Sequence, residues 1–348
     1  MKNLTSLLIN PEILCKDMLR ILNSNGSRIL IVVDKENSLL GTITDGDIRR
    51  GLLKGLTLSN ETAEFMNTNP SFHKQDNTIE ESKAIMRLHD LIGLPIVDDS
   101  NTVVDLRLLN KIDTEKERPE TVIIMAGGFG KRLKELTADK PKPMVEINNK
   151  PMLEHLLVNL ISHGFRDFKI SVHYLSNQIK DYFGDGKAFG VKIQYLEEKE
   201  PLGTAGCLFL AKDTDISVDF VLLNGDLLTN IDFEELIEAH LFDQNSLTIA
   251  TKIFEAPISF GVLKSNGSRV QEIQEKPSFF HEISGGIYVL KRDLLDRFVS
   301  LERKDMPELI EELINSEERV GRFPIVEYWK DLGTQKDLEE AYKEILSV

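Results

Sequence analysis

The sequence predicts an α/β protein: a mostly parallel mixed sheet with flanking helices, preceded by a smaller α+β unit. Three observations lead there. Strand-like and helix-like runs alternate through the second half; the glycine turn MAGGFGKRL (125–133) follows directly on the apolar run TVII; and a charged stretch closing on proline, IDTEKERPE (112–120), separates two halves of different texture. Alternation of this kind builds layers, with ligands at the carboxyl ends of the strands. The 348 residues suit two domains, read as 1–115 and 121–348 with a linker at 116–120.

The first unit is internally repeated. IVVDKENSLLG (31–41) and PIVDDSNTVVD (95–105) superpose with a shift of 64 residues, each a strand, a polar turn and another strand. Helical stretches, CKDMLRIL and IEESKAIMRL, precede them. GTITDGDIRRGLL closes the first copy, and its TDGD is read either as a capped helix start or as part of a ligand clamp.

In the second unit the strands are read at TVII, FKISVHY, VKIQYLE, DFVLLNGD, LTIATKIF and GGIYVL, and the helices at MLEHLLVNLISHG, DFEELIEAHLF and LEEAYKEILSV. Glycines directly after a strand let backbone N–H groups approach a ligand, and Lys131 and Arg132 beside them favour an anion. The spelling fits neither the P-loop, which needs Ser or Thr where Arg132 stands, nor the dinucleotide fingerprint, which needs a small residue at Leu133. A strand-to-helix turn with solvated cations is the plain alternative. Lys142 lies between two prolines, which stiffen the loop and aim one ammonium. EPLGTAG (200–206) is a second glycine loop. Asp226 in LLNGDLL and Asp331 in YWKDLGT stand at strand ends, either as turn formers or as a pair able to share Mg²⁺.

Composition narrows the partners. With 41% hydrophobic and 28% charged residues the chain can bury ordinary cores, while a net charge of −15 disfavours nucleic acid and anionic membrane, so any phosphate site is local. No apolar run reaches membrane-span length and the start lacks a signal-peptide pattern, which makes the cytoplasm the expected location. Cys15 and Cys207 read as packing residues, and seven scattered histidines show no zinc spacing.

Two family resemblances follow from these motifs. The repeat with TDGD resembles a tandem CBS-domain pair, which implies AMP or ATP between the copies, ribose held by Thr44 and Asp47, and a phosphate served by Gly46 and Arg49. Leu108 and Lys111 replace the clamp in the second copy. Residues 121–334 resemble the sugar-1-phosphate nucleotidylyltransferases, whose A-G-G-x-G-x-R-L is followed by P-K-P. That likeness implies a Rossmann-like (GT-A-like) fold and a nucleoside triphosphate lying on Ala126, Gly127, Gly128, Gly130, Gly203 and Thr204. It also implies catalytic Arg132 and Lys142, Mg²⁺ on Asp226 and Asp331, and sugar phosphate on Gly261, Glu275, Lys276 and Gly286. Ser284 departs from the Asn common in the family.

P-L-G-T-A-G resembles guanylyltransferases, favouring GTP, and the combination with a CBS module resembles the glucosamine-1-phosphate guanylyltransferases of bacterial legionaminic acid synthesis. Mannose- or heptose-1-phosphate as acceptor, a uridylyl- or thymidylyltransferase, and a nucleotide sensor with a scaffold transferase half are the alternatives. The chain ends soon after a helix without a β-helix tail, so assembly into a homo-oligomer is expected through the CBS unit.

Overall fold

A computed structural model describes residues 4–25, 28–89, 91–108, 117–128, 130, 133 and 136–345. The first half contains β1 (Leu8–Ile9), α1 (Cys15–Asn25), β2 (Ile29–Val33), β3 (Leu39–Thr44) and α2 (Asp45–Leu53), then β4 (His73–Lys74), α3 (Ile79–Leu88), β5 (Gly93–Val97) and β6 (Val103–Leu108). Each copy forms a three-stranded sheet, β1-β2-β3 and β4-β5-β6, with the first pair parallel and the second antiparallel. A shared cluster of Ile31, Val33, Leu39, Val97 and Val103 joins the copies.

The second half continues with β7 (Thr121–Met125), β8 (Glu146–Ile147), β9 (Lys150–Pro151), α4 (Met152–Ser162), β10 (Asp167–Val172), α5 (Ser176–Phe183), β11 (Lys192–Glu197) and α6 (Gly203–Ala211). Then come β12 (Asp219–Asn224), β13 (Leu227–Thr229), α7 (Phe233–Phe242), β14 (Leu247–Pro257), β15 (Val262–Asn266), β16 (Arg269–Gln274) and β17 (Ser278–Lys291). The chain closes with α8 (Met306–Asn315), β18 (Val320–Pro324), β19 (Trp329–Asp331) and α9 (Gln335–Ile345).

Seven strands form the central sheet in the order β11-β10-β7-β12-β17-β14-β18, and only β17 runs against the rest. The mostly parallel mixed sheet read from the sequence is therefore present. Its apolar runs are buried on both faces, as parallel strands covered by helices must be. Val122, Ile124, Val221 and Leu223 face a core shared with Leu153, Leu157 and Leu236 of α4 and α7, whereas Ile123, Phe220 and Leu222 face Leu208, Leu309 and Leu313 of α6 and α8. Beyond Ala250 a register shift carries β14 and its partner β17 past the carboxyl end of β12, and the hairpin β15–β16 extends from that arm. No described helix is long and apolar enough to cross a membrane.

Candidate active site

The site forms where β7 and β12 end side by side. The Gly225 N–H donates to Met125 O at 2.9 Å, and a Cβ on Gly225 would stand 2.9 Å from that oxygen, so only glycine lets the N-G-D turn lie on the end of β7. Asp226 is thereby set next to the glycine turn. Gly130 has φ +63°, and a Cβ there would come within 2.9 Å of both Lys142 Cβ and Thr137 Cγ2, so this position combines left-handed backbone with close packing. Gly128 faces open space. The Ala126 N–H is already used, donating to Ser171 O at 2.9 Å. Arg132, together with Phe129 and Lys131, lies outside the described residues.

Lys142 begins a single 3₁₀ turn, Lys142–Met144, entered from Pro141. It is only 8% exposed. Its ammonium pairs with Asp226 Oδ2 and stands 3.8 Å from Asp331 Oδ1. The two carboxylates meet because β13 and β19 pair antiparallel with Leu227 opposite Asp331, and the Leu332 N–H donates to Asp226 O at 3.0 Å. Among the described residues no group of three or more His, Cys, Asp or Glu side chains could hold a metal ion. Two carboxylates nevertheless suit Mg²⁺, which takes one or two from protein and the remainder from water and phosphate. Asp226 Oδ1 is buried with no hydrogen-bond partner among the described residues, leaving a lone pair available to a cation.

Gly203 and Thr204 open α6 as the spelling suggests, but their polar groups turn toward the segment before α8. The Thr204 N–H donates to Asp305 Oδ1 at 3.0 Å, its hydroxyl accepts from the Met306 N–H at 2.8 Å, and a Cβ on Gly203 would meet Lys304 O at 2.5 Å. Lys304 and Asp305 thus fix the start of α6. The sequence reading assigns no role to Glu198, which lies between the strand VKIQYLE and the loop EPLGTAG. Its carboxylate accepts from Ser171 Oγ at 2.5 Å and from the Leu202 N–H at 3.0 Å, and a Cβ on Gly127 would lie 3.1 Å from Oε1. The strand-to-helix loop and the glycine turn therefore meet across this side chain.

On the other flank Gly286 has φ +68°, and a Cβ there would lie 2.5 Å from Asn224 Nδ2, which ties this glycine to the turn carrying Asp226. Gly261 and Glu275 face each other on the hairpin, with a Cβ on Gly261 3.2 Å from Glu275 Oε2. Lys276 holds φ +46°, an uncommon conformation for a non-glycine residue. Ser284 Oγ shares a 2.8 Å hydrogen bond with the Tyr288 hydroxyl.

In the first half Thr44 caps α2. Its hydroxyl and N–H both donate to Asp47 Oδ2, at 2.7 and 2.8 Å, in a reciprocal capping box. The expectation that Gly46 and Arg49 serve a phosphate is corrected by the fold. A Cβ on Gly46 would meet Arg50 Nη1 at 3.1 Å and Glu235 Oε1 at 3.3 Å, while Arg49 is 4% exposed and points into the transferase half. Its Nε donates to Pro324 O at 3.0 Å and Nη2 to Glu327 Oε1 at 2.7 Å, Nη1 pairs with Glu235, and its guanidinium stacks 4.0 Å from the Phe323 ring. All three nitrogens of this buried guanidinium donate to protein acceptors, so Arg49 is turned into the interface and away from a ligand.

Fold, glycine turn, framed lysine and facing aspartates coincide with a match to the Nucleotidyl transferase family over residues 121–348, to which this chain belongs. A CBS domain matches residues 5–54, the first of the two repeated units. The chain is 35% identical over 229 residues to a mannose-1-phosphate guanyltransferase of Yarrowia lipolytica, covering 62% of this chain and 61% of that protein. A Drosophila melanogaster mannose-1-phosphate guanylyltransferase catalytic subunit beta is 34% identical, covering 62% and 60%. The chain thus spans about three fifths of the length of these relatives. Among solved structures, HddC from Yersinia pseudotuberculosis complexed with GMP-PN is 27% identical with a TM-score of 0.52, covering 65% of this chain and 99% of that one.

Proposed function

We propose that this protein transfers a nucleoside monophosphate from a nucleoside triphosphate, GTP, to a sugar 1-phosphate, releasing pyrophosphate and a GDP-sugar. The observation that carries this reading is Lys142, held between prolines with its ammonium on two carboxylates that face each other beside a glycine turn. Attack of one phosphate on another brings anions together, so the chemistry is positioning and charge compensation. Backbone around Gly127, Gly128 and Gly130 cradles the triphosphate, and Lys142 meets charge on the phosphorus under attack. Asp226 and Asp331 hold Mg²⁺, which when bound neutralises phosphate oxygens. No general base is required, since a sugar phosphate is already ionised at neutral pH.

The choice of guanine is supported by the names of the similar enzymes and by Glu198. A carboxylate is an acceptor only, and beside the glycine turn it complements the N1–H and N2–H₂ donors of guanine. Glucosamine 1-phosphate is our preferred acceptor, on the pairing of a CBS unit with this transferase half; the exposed carboxylate of Glu275 accepts from an ammonium or a hydroxyl alike, and mannose 1-phosphate, which the relatives' names carry, is the competitor. An adenine nucleotide at Thr44 and Asp47 would regulate turnover, with the capping box opening to accept ribose. Equal rates with and without AMP or ATP would exclude that regulation.

Pyrophosphate release with Mg²⁺, for GTP, UTP, dTTP and CTP crossed with glucosamine, mannose, glucose and N-acetylglucosamine 1-phosphates, tests the assignment. One strong pair containing GTP is expected, and Glu198→Gln should narrow its advantage over UTP. Silence across the grid in a folded protein that binds GTP would overturn the transferase reading for these acceptors.

A further inference from the structure

The ribbon of β13 and β19 has two ends with different partners. At one end lie Asp226 and Asp331. At the other, the Asn230 N–H donates to Tyr328 O at 2.9 Å, and the chain leaves toward Asp232 on one side and Glu327 on the other. These two acidic residues are both 6% exposed and are bonded to each other, the Asp232 N–H donating to Glu327 Oε1 at 3.3 Å. Both are also held by arginines of the first half. Arg49 Nη2 donates to Glu327 Oε1 at 2.7 Å, and Arg28 Nη2 donates to Asp232 Oδ2 at 2.5 Å. Asp232 Oδ1 meanwhile caps α7 through the Glu234 N–H at 3.0 Å.

We propose that Arg49 is a positioning residue for the metal-binding pair: through Glu327 it clamps the far end of the β13–β19 ribbon and so sets the spacing of Asp226 and Asp331. The inference rests on the reading of those two aspartates as the Mg²⁺ site. A two-stranded ribbon of three residues a side is too short to hold its own geometry, and isolated hairpins are marginal even when longer. Its sides are held by the cores that bury Leu227 and Leu228, and its ends by what they are fastened to. Guanidinium geometry makes this fastening directional: Arg49 reaches Pro324 O, Glu327 and Glu235 with three different nitrogens while lying flat on Phe323. The N-terminal unit then completes the transferase site.

The test uses the full chain and reads metal binding without turnover. Free Mn²⁺ is followed by electron paramagnetic resonance in the presence of a non-hydrolysable GTP analogue, and amide hydrogen exchange is followed in residues 226–232 and 327–332. Arg49→Met and Glu327→Gln should each weaken Mn²⁺ binding about tenfold, the range seen when groups supporting metal ligands are removed. Both should speed ribbon exchange, and the double variant should be no worse than the weaker single one, because they act on one linkage. Arg49→Lys, which keeps charge without the fork, should fall between parent and Arg49→Met and serves where Arg49→Met does not fold. Arg20→Met removes an exposed contact to Glu255 that also crosses the halves but misses the ribbon, and should match the parent.

Parental Mn²⁺ affinity and ribbon exchange in folded Arg49→Lys and Glu327→Gln, or additive losses in the double variant, would overturn the proposal. Asp226→Asn separates it from the underlying reading. If that variant keeps parental Mn²⁺ affinity, the metal assignment itself fails; if it loses Mn²⁺ while the Arg49 variants do not, only the positioning role fails.

Discussion

Asn37 and Asn101 occupy equivalent turns of the two repeated units and accept from each other's strands. Both have left-handed backbone, φ 62° and 64°; the Val103 N–H donates to Asn37 O, and the Leu39 N–H donates to Asn101 O, each at 3.0 Å. The 64-residue shift seen in the sequence is thus a pseudo-two-fold relation in space, with the turns as the contact. Asparagine tolerates this conformation and a β-branched residue does not.

Asn37→Val and Asn101→Val should each destabilise the first half by about 1–3 kcal/mol, the cost of a disfavoured backbone region. Asn→Gly at either position should be close to neutral. Chemical denaturation followed by circular dichroism checks both. A valine variant as stable as the parent would show that the turn relaxes to another conformation.

Lys142→Met should reduce the rate of pyrophosphate release about 10²–10³-fold, as expected for loss of one preorganised charge at a developing phosphate transition state. The same change leaves the Asp226 and Asp331 carboxylates facing each other without their ammonium. Lys142→Arg should not restore the rate, since a wide planar fork replaces the compact ammonium buried against Asp226 and Asp331. A rate close to parental in Lys142→Met would remove this residue from the chemistry.

The interface between the halves carries a pH dependence. Burial, aided by the Glu327 charge, raises Asp45 from 3.8 to about 7 against the pull of Arg28 and Arg49. Its contribution to stability is present below about pH 4 and is lost as pH rises through about 7. Burial lowers Lys252 from 10.5 to about 8, against the attraction of Glu327 and Asp45, and this contribution is present at high pH and lost as pH falls through about 8. Both are therefore least favourable between about pH 7 and 8. Asp45→Asn should raise the melting temperature at pH 7.5 by a few degrees and flatten its fall between pH 4 and 7. An unchanged slope in differential scanning calorimetry would show that another group titrates there.

Gly286→Ala places a methyl 2.5 Å from Asn224 Nδ2 on a backbone at φ +68°. The backbone alone should cost about 1–2 kcal/mol, and displacement of Asn224 should move the turn that carries Asp226. The expected outcome is a lower melting temperature together with a lower kcat/KM for the sugar phosphate. A loss of stability with unchanged kcat/KM would confine Gly286 to a folding role.

Much of this was legible in the sequence because it is local. Apolar runs such as TVII and DFVLL, the turn spellings after them and the 64-residue repeat depend on near neighbours, and they placed β7, β12, the glycine turn and the paired hairpins. Lys142, framed by prolines, and Asp226 and Asp331, at strand ends, were legible for the same reason. Their meeting was not: it depends on β13 lying in register with β19, a pairing between distant segments that no local pattern encodes. Glu198 and Arg49 show the same limit. The sequence gives no role to the first and reads the second as serving a phosphate, yet Glu198 lies against Gly127 and Arg49 is buried on Phe323. Periodicity and turn chemistry determined which elements exist and where the reactive side chains sit along them. Docking of α2 on β18 and the register of the β13–β19 ribbon were decided by long-range packing, because only the assembled chain sets which buried charges find partners.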